Sequence, residues 1–313
     1  MKTSFLLTGE SNTIKKLNKQ IQQLAGSPRN VLIEGEPGAG KTAVARQIHL
    51  SSKDCGKPIV TLNPFLTSDD EIKAILFHDE MKKEQRLPAT QVPELIDGST
   101  FYVKDIDDLN FSNQARIARF LEARKGKPRV RVIVTMKDSM RKWYEEGRLT
   151  EALLKQLSTF EKLFVLPLRD RLEDIPALAE HFTAEACREL GVNVKALDAN
   201  TIDFLTKCDW KGNVRELKAV IDKAVHQSDG EVLTLPEEIL DEKVHLDSII
   251  RNIDAKKGFS MDGALGRIEK LLLQRMLKAF GYNQSRVAEA LGTTEGNLRY
   301  RLKKYSIPTS RSR

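Results

Sequence analysis

Cysteine is scarce in this chain. Cys55, Cys187 and Cys208 are the three in 313 residues, too few and too scattered for a disulfide framework or a zinc site. The five histidines, His49, His78, His181, His226 and His245, show no metal-ligand spacing and read as surface or lid residues. No Ser/His/Asp or Cys/His arrangement can be argued, and Cys187 and Cys208, on helical patterns, read as core. No run of about eighteen apolar residues occurs, so no membrane span is expected. The opening MKTSFLLTGES holds too short an apolar stretch for a signal peptide. Short-period repeats and low-complexity tracts are missing as well. Together these absences point to a bacterial-type cytoplasm or an equivalent reducing compartment.

What is present is ordinary for a globular protein: 40% apolar and 30% charged residues. The length suits about two domains, with room for a small third. Net charge is +7. Residues 281–313 hold seven bases against two acids, so +5 of the excess sits in the last tenth of the chain. A basic tail on a nearly neutral body suits a polyanionic partner, although a solvated helix surface would look the same on charge alone.

Short apolar runs at 30–33, 58–62, 100–103, 130–135 and 163–166 alternate with helical patterns such as 42–50 and 112–123. That alternation predicts a parallel sheet covered on both faces. From residue 172 the strand signal stops, and 175–190, 198–208 and 214–226 read as helices. A polar, mixed-charge stretch at 242–259 reads as a linker. Residues 261–280 then form an amphipathic pattern with Leu265, Ile268, Leu272 and Met276 on one face, followed by two shorter helices at 285–291 and 295–305.

Gly35-Glu36-Pro37-Gly38-Ala39-Gly40-Lys41-Thr42 is a complete G-x-x-x-x-G-K-[ST] between an apolar strand and a helical segment, the context that motif requires. Glycines let backbone N–H groups curl around an anion, and the helix start adds its positive dipole end. Lys41 would reach the β/γ-phosphates and Thr42 would ligate Mg²⁺.

Here a resemblance becomes visible. The stretch 35–50 resembles the AAA+ ATPase domain of bacterial enhancer-binding proteins, the activators that work with sigma-54 RNA polymerase. Thr8-Gly9-Glu10-Ser11 resembles the start of that domain, and Asp97-Gly98-Ser99-Thr100-Phe101 resembles the lead into its Walker B strand. The segment 166–176, LPLRDRLEDIP, is similar to the family's turn into the lid. Residues 210–217, WKGNVREL, look like its sensor II helix, which makes Arg215 a nucleotide contact by resemblance. The resemblance covers residues 8–240. With the phosphate loop opening at residue 35, no receiver or ligand-sensing domain is expected ahead of it.

Four departures stand against these matches. The family's Walker B strand ends in Asp-Glu, for the Mg²⁺ shell and the attacking water; this chain has Lys104 and Asp105. A lysine is electrostatically wrong there, and Asp105, the catalytic carboxylate that remains, is a methylene short; a one-residue slip would put it at the metal. Asp107 and Asp108 are weaker substitutes. At sensor I, Met136 and Lys137 stand in place of Thr-Asn. Thr150 and Gln156 fall at the two arginine-finger positions, with Lys155 and Arg148 as the nearby cations. Finally, the glycine-flanked Phe-Thr loop that contacts sigma-54 is replaced by a charged stretch at 81–90.

Residues 283–307 resemble a Fis-type helix-turn-helix, the family's usual C-terminal partner. By that match Thr294, Glu295 and Asn297 face base edges, while Arg299, Arg301, Lys303 and Lys304 engage phosphate. Thr294 is also a good N-cap.

The expected fold is α/β. It comprises an AAA+ RecA-like parallel-sheet core at 1–167, a helical lid at 168–240, a linker at 241–260, and a small all-α helix-turn-helix domain at 261–313. ATP is the expected cofactor, with Mg²⁺ if Thr42 acts as in the family. Expected partners are double-stranded DNA, RNA polymerase, a second copy through the C-terminal domain and further copies through the AAA+ domain; no membrane is expected. The first reading is a DNA-binding regulator that binds ATP, hydrolyses it poorly and does not remodel sigma-54 polymerase. An active ATPase that does remodel it is the second. A DNA-organising protein or repressor that uses the AAA+ domain only to oligomerise is the third.

Overall fold

A computed structural model describes residues 7–77, 95–123, 130–228, 230–235 and 261–309. The charged stretch at 81–90, the linker at 241–260, His78 and His245 lie outside the described residues. The chain divides into two compact units, residues 1–206 with 210–234 and residues 207–209 with 235–313.

In the first unit β1 (Val31–Glu34), β2 (Ile59–Leu62), β3 (Thr100–Val103), β4 (Arg131–Met136) and β5 (Glu161–Phe164) form one parallel sheet in the order β2-β3-β4-β1-β5. Side chains alternate across it. Leu32, Phe101, Val103, Val132 and Val134 pack into a core with α3 (Asp69–Phe77), α4 (Phe111–Ala123), α5 (Met140–Glu145) and α6 (Glu151–Leu157). Val31, Ile33, Tyr102, Ile133 and Leu163 pack on the other face with α1 (Asn12–Ala25) and α2 (Lys41–Leu50). Burial of both faces is why these strands read as apolar runs rather than alternating ones. The sheet order puts β1 inside the sheet, between β4 and β5, and the turn after it opens at the carboxyl edge, where parallel sheets bind ligands.

Three expectations need correction. The strand expected at 163–166 lies two residues earlier, because β5 is an edge strand paired only with β1 and tolerates the partly exposed Glu161 and Lys162. Helix α1, ahead of the first strand, is not among the expected ones; it is started by Ser11, whose hydroxyl accepts the Ile14 N–H at 3.1 Å. His49 is not a surface residue. It is buried on α2, with Nδ1 2.8 Å from Thr100 Oγ1, and burial holds its pKa below the ordinary 6.5.

After β5 come two short turns at Leu168–Asp170 and Leu172–Asp174, then α7 (Ile175–Leu190), α8 (Ala199–Lys207) and α9 (Asn213–Gln227). The second unit holds α10 (Met261–Ala279), α11 (Gln284–Ala290) and α12 (Glu295–Lys304). Leu273 and Leu277 of α10 meet Val287, Ala288, Leu298, Leu302 and Ile307 in its core. Asn283 and Thr294 cap α11 and α12, each accepting an N–H three residues on at 3.2 Å. Of the apolar face expected on α10, Met276 packs against this core, while Leu265 and Leu272 remain 55% and 49% exposed.

Candidate functional site

The phosphate-loop motif joins β1 to α2, and its backbone is held from behind. Lys41 Nζ donates to Gly35 O at 2.7 Å and Glu36 O at 3.0 Å. Asn213 Nδ2 donates to Pro37 O at 3.0 Å, the Arg215 N–H to Gly38 O at 3.3 Å, and an Arg171 guanidinium nitrogen to Ala39 O at 2.6 Å. Every carbonyl from residue 35 to residue 39 therefore has a donor. The first N–H groups of α2 have no intrahelical acceptor, as at any helix start, and they are what the loop offers an anion. Gly38 has φ +78°, and a Cβ there would lie 2.1 Å from Gly212 O. Only glycine lets the lid approach so closely. Gly40, at φ +110°, makes the turn into α2.

The Glu36 carboxylate faces away from this anion position. It takes both terminal nitrogens of Arg169 and Nδ2 of Asn213 at 3.1 Å, and the Arg169 bond does most to lower its pKa. Deeper behind the loop, Asp174 is fully buried. It accepts the Ser11 N–H at 2.8 Å and the Ser11 hydroxyl at 3.0 Å, and it lies 3.7 Å from Arg171. Burial pulls the Arg171 pKa down and Asp174 opposes it. The two motifs that open the domain and enter the lid thus meet in one buried ion pair that holds the loop.

The opposite wall is built from the ends of β3 and β4. Tyr102 Oη lies 3.0 Å from Thr42 Oγ1 and 3.4 Å from Thr135 Oγ1. Thr135 Oγ1 accepts the Asp105 N–H at 2.8 Å and gives its proton to Asp105 Oδ1 at 3.3 Å. Donor counting then runs the chain one way, from Thr42 through Tyr102 and Thr135 to Asp105. Burial pushes the Tyr102 pKa up, so it stays a neutral hydroxyl. Asp105, at φ +46°, places Oδ1 3.8 Å from Lys41 Nζ. Burial lowers the Lys41 pKa, and Asp105 and Asp107 oppose that. Between Tyr102 and Asp105 stands Lys104, half-buried and without an ion pair among the described residues.

These walls and the lid enclose a cleft of about 200 Å³, lined by Gly38, Gly40, Lys41, Thr42, Lys104, Asp105, Phe182, Val214, Arg215 and Lys218. Of the charged residues in that lining four are cations, and Asp105 is the single carboxylate. Asp107 and Asp108 are engaged elsewhere: Asp107 Oδ2 accepts the Lys137 N–H at 2.9 Å, and Asp108 Oδ1 takes Lys137 Nζ at 2.5 Å. Lys137, at the sensor I position, is thereby tied down outside the cleft lining. Thr150 caps α6 with its Oγ1 buried and unpartnered, and Gln156 is buried. Arg148 is turned to Glu146 at 3.3 Å, and Lys155 is exposed.

Gly38, Gly40, Lys41, Thr42, Asp105 and Arg215 thus come together around the cleft, while Gly35, Glu36, Pro37 and Ala39 form the back of the loop. Tyr102, Asn213, Lys218 and Phe182 were not singled out by sequence. A tyrosine inside a wholly buried strand was the one signal for the first, and an asparagine opening a helix the signal for the second.

On α12 the expected DNA-facing residues divide into held and free. The Thr294 hydroxyl caps the helix. Glu295 pairs with Arg299 at 3.2 Å, and Arg299 Nε also reaches Gln284 at 3.2 Å. Asn297 Oδ1 accepts Arg301 Nε at 3.0 Å, and Arg301 also pairs with Glu269 on α10. Glu269 takes the Tyr305 hydroxyl at 2.6 Å as well. Lys303 and Lys304 are exposed, Lys304 5.0 Å from the Tyr305 ring centre.

Residues 8–167 match the Sigma-54 interaction domain, residues 169–248 the AAA+ ATPase lid domain, and residues 264–305 the bacterial regulatory proteins of the Fis family. The phenol regulator MopR of Acinetobacter guillouiae is 28% identical over 97% of this chain and 57% of its own length. The DNA-binding transcriptional regulator NtrC of Salmonella typhimurium is 34% identical over 68% of this chain and 47% of its own. The chain thus spans about half the length of these relatives. The structure of NtrX from Brucella abortus in complex with ATP has a TM-score of 0.65 at 26% identity, over 97% of this chain and 70% of that one.

Proposed function

This chain belongs to the Sigma-54 interaction domain family of transcriptional activators, with an AAA+ lid and a Fis-family helix-turn-helix; from that premise we propose that it is a DNA-binding transcription regulator that binds ATP and hydrolyses it slowly. The observation that carries the reading is the contrast within the cleft. A fully supported phosphate loop faces a strand end where Lys104 replaces the acidic residue and Asp105 is bound by Thr135 and Lys41. Nucleotide binding draws further support from NtrX, whose structure holds ATP. Slow turnover also fits the inward Gln156 and the capping Thr150, which offer no guanidinium to a neighbouring copy. An arginine finger is typically worth three to five orders of magnitude in rate (about 10³–10⁵).

In this reading nucleotide is a structural ligand or a switch of assembly state. Lys41 and Arg215 meet the phosphates, and α12 enters the major groove of double-stranded DNA. The exposed Leu265 and Leu272 of α10 are the apolar face for a second copy. The charged stretch at 81–90 does not serve as a sigma-54 contact, and the protein works in the cytoplasm. Among the described residues no helix is long and apolar enough to cross a membrane. Purified protein should turn over ATP well below about one per second, the slow end of working enzymes; a faster rate overturns the reading. Regulation should persist in cells lacking sigma-54. Its complete loss there would favour an active remodeller of sigma-54 polymerase, the reading that Asp105's place in the cleft supports.

A further inference from the structure

The family's phosphate loop works with Mg²⁺, held on the Ser/Thr hydroxyl and on a carboxylate at the strand end. Here the residues do not fit that ion. Mg²⁺ requires near-octahedral oxygen ligands at about 2.0–2.1 Å and is bound through one or two carboxylates besides the phosphates. The strand-end position holds an ammonium instead, on Lys104. The next carboxylate, Asp105, has Oδ1 engaged by Thr135 at 3.3 Å and by Lys41 at 3.8 Å. The Thr42 hydroxyl donates to Tyr102 at 3.0 Å and keeps its lone pairs, so the misfit lies at the strand end, where Lys104 stands. A divalent cation would enter a cleft whose lining holds Lys41, Lys104 and Arg215, with Lys218 already paired to Glu185, against one carboxylate, and like charges disfavour it.

The same inventory suits a bare polyphosphate. Without a metal, an anion of several charges needs cations around it, and this cleft supplies Lys41, Lys104 and Arg215, besides a Lys218 that Glu185 already holds. Lys104 follows β3 directly, its N–H still pairing with Leu62 O at 2.9 Å. Its backbone is therefore part of the sheet, and only the side chain is free to adjust. Its ammonium makes no ion pair among the described residues, unlike Lys137, which Asp108 holds.

We propose that this chain takes its nucleotide without a divalent cation. The Lys104 ammonium meets the phosphates in the metal's place. The proposal rests on the ATP reading above, and its test separates the two. ATP is titrated calorimetrically into the whole chain, once with EDTA and once with excess Mg²⁺. Because Mg²⁺ covers the phosphate charge that Lys104 needs, binding should be at least about threefold tighter in EDTA. The variant Lys104→Asp should reverse the sign and bind more tightly with Mg²⁺. Lys104→Met retains the stem without charge; it should weaken binding in EDTA and erase the difference between buffers, and it serves if the acidic variant does not fold. Equal or tighter binding with Mg²⁺ in the unsubstituted chain overturns the proposal and leaves ATP binding standing. Failure to bind ATP in either buffer overturns both.

Discussion

The loop wall of the cleft presents Lys41, Thr42 and the N–H groups that start α2, while the strand-end wall presents Lys104 beside a single carboxylate, Asp105. The difference lies in what holds each wall. Behind the loop stand Asn213, Arg171, Asp174 and Ser11, joined to it and to one another by buried and half-buried hydrogen bonds and one buried ion pair, with Arg169 on Glu36 at the exposed edge. A change at Ser11, Arg171 or Asp174 leaves a buried polar group unpaired, so this part of the wall resists substitution for reasons of stability as well as binding. At the strand end, Lys104 is half-buried and has no ion pair among the described residues. A charge reversal there disturbs no network, and a wall set by function alone is free to change when the function does.

The most severe way to break this contrast is from behind the loop. Asp174→Ala should destabilise the first unit by about 3–5 kcal/mol, because it leaves the Arg171 charge buried and unpaired; the midpoint of urea unfolding measures it. Lys41→Ala acts at the front. It should weaken ATP binding by about 1.5–3 kcal/mol, the range for a hydrogen bond to a charged group and roughly 10- to 150-fold in Kd, as read by calorimetry. The strand-end wall should behave differently. Lys104→Asp combined with Asp105→Glu should raise ATP turnover only in part, since Thr150 and Gln156 still supply no finger, while Lys104→Asp alone should leave the unfolding midpoint within about 0.5 kcal/mol of the parent.

Held and free side chains also divide α12. Lys303→Ala should lower the slope of log affinity for DNA against log salt by about one unit on any sequence, through loss of one phosphate contact. Arg301→Ala should lower it less and instead loosen the second unit by about 0.2–1 kcal/mol, since its guanidinium is partly engaged by Glu269 and Asn297. Titrations at several salt concentrations separate the two. The smallest effect concerns pH. His49 is buried and its pKa is lowered, so the unfolded chain binds the proton more readily than the folded one. Its contribution to stability should be complete above the ordinary value of 6.5 and should decline as pH falls from there toward the lower folded value. His49→Gln should flatten that decline in unfolding curves.

Local patterns account for what the sequence determined by itself. The phosphate loop is eight consecutive residues, and its chemistry can be read without knowing the rest of the chain. The same holds for the alternation of apolar strands with helices, the cap at Thr294 and the lysine at 104. Each depends on neighbours a few positions apart, where geometry follows from the backbone alone. The edge position of β5, by contrast, depends on which strand lies beside β1, and that is why its start was misplaced.

The network behind the loop joins Ser11 to Asp174 across 163 positions, and Arg171 to Ala39 across 132. The hydroxyl chain joins Thr42 to Tyr102 across 60 and Tyr102 to Thr135 across 33. Such pairs carry no spacing signal, because packing the parallel sheet and its lid brings them together, not any local turn. The sequence determined the fold class, the phosphate loop and the charge reversal at Lys104. Tertiary packing alone sets that Glu36 pairs with Arg169, that Tyr102 accepts from Thr42, and that Arg301 faces Glu269, since each outcome depends on which distant side chain the fold brings within hydrogen-bonding reach.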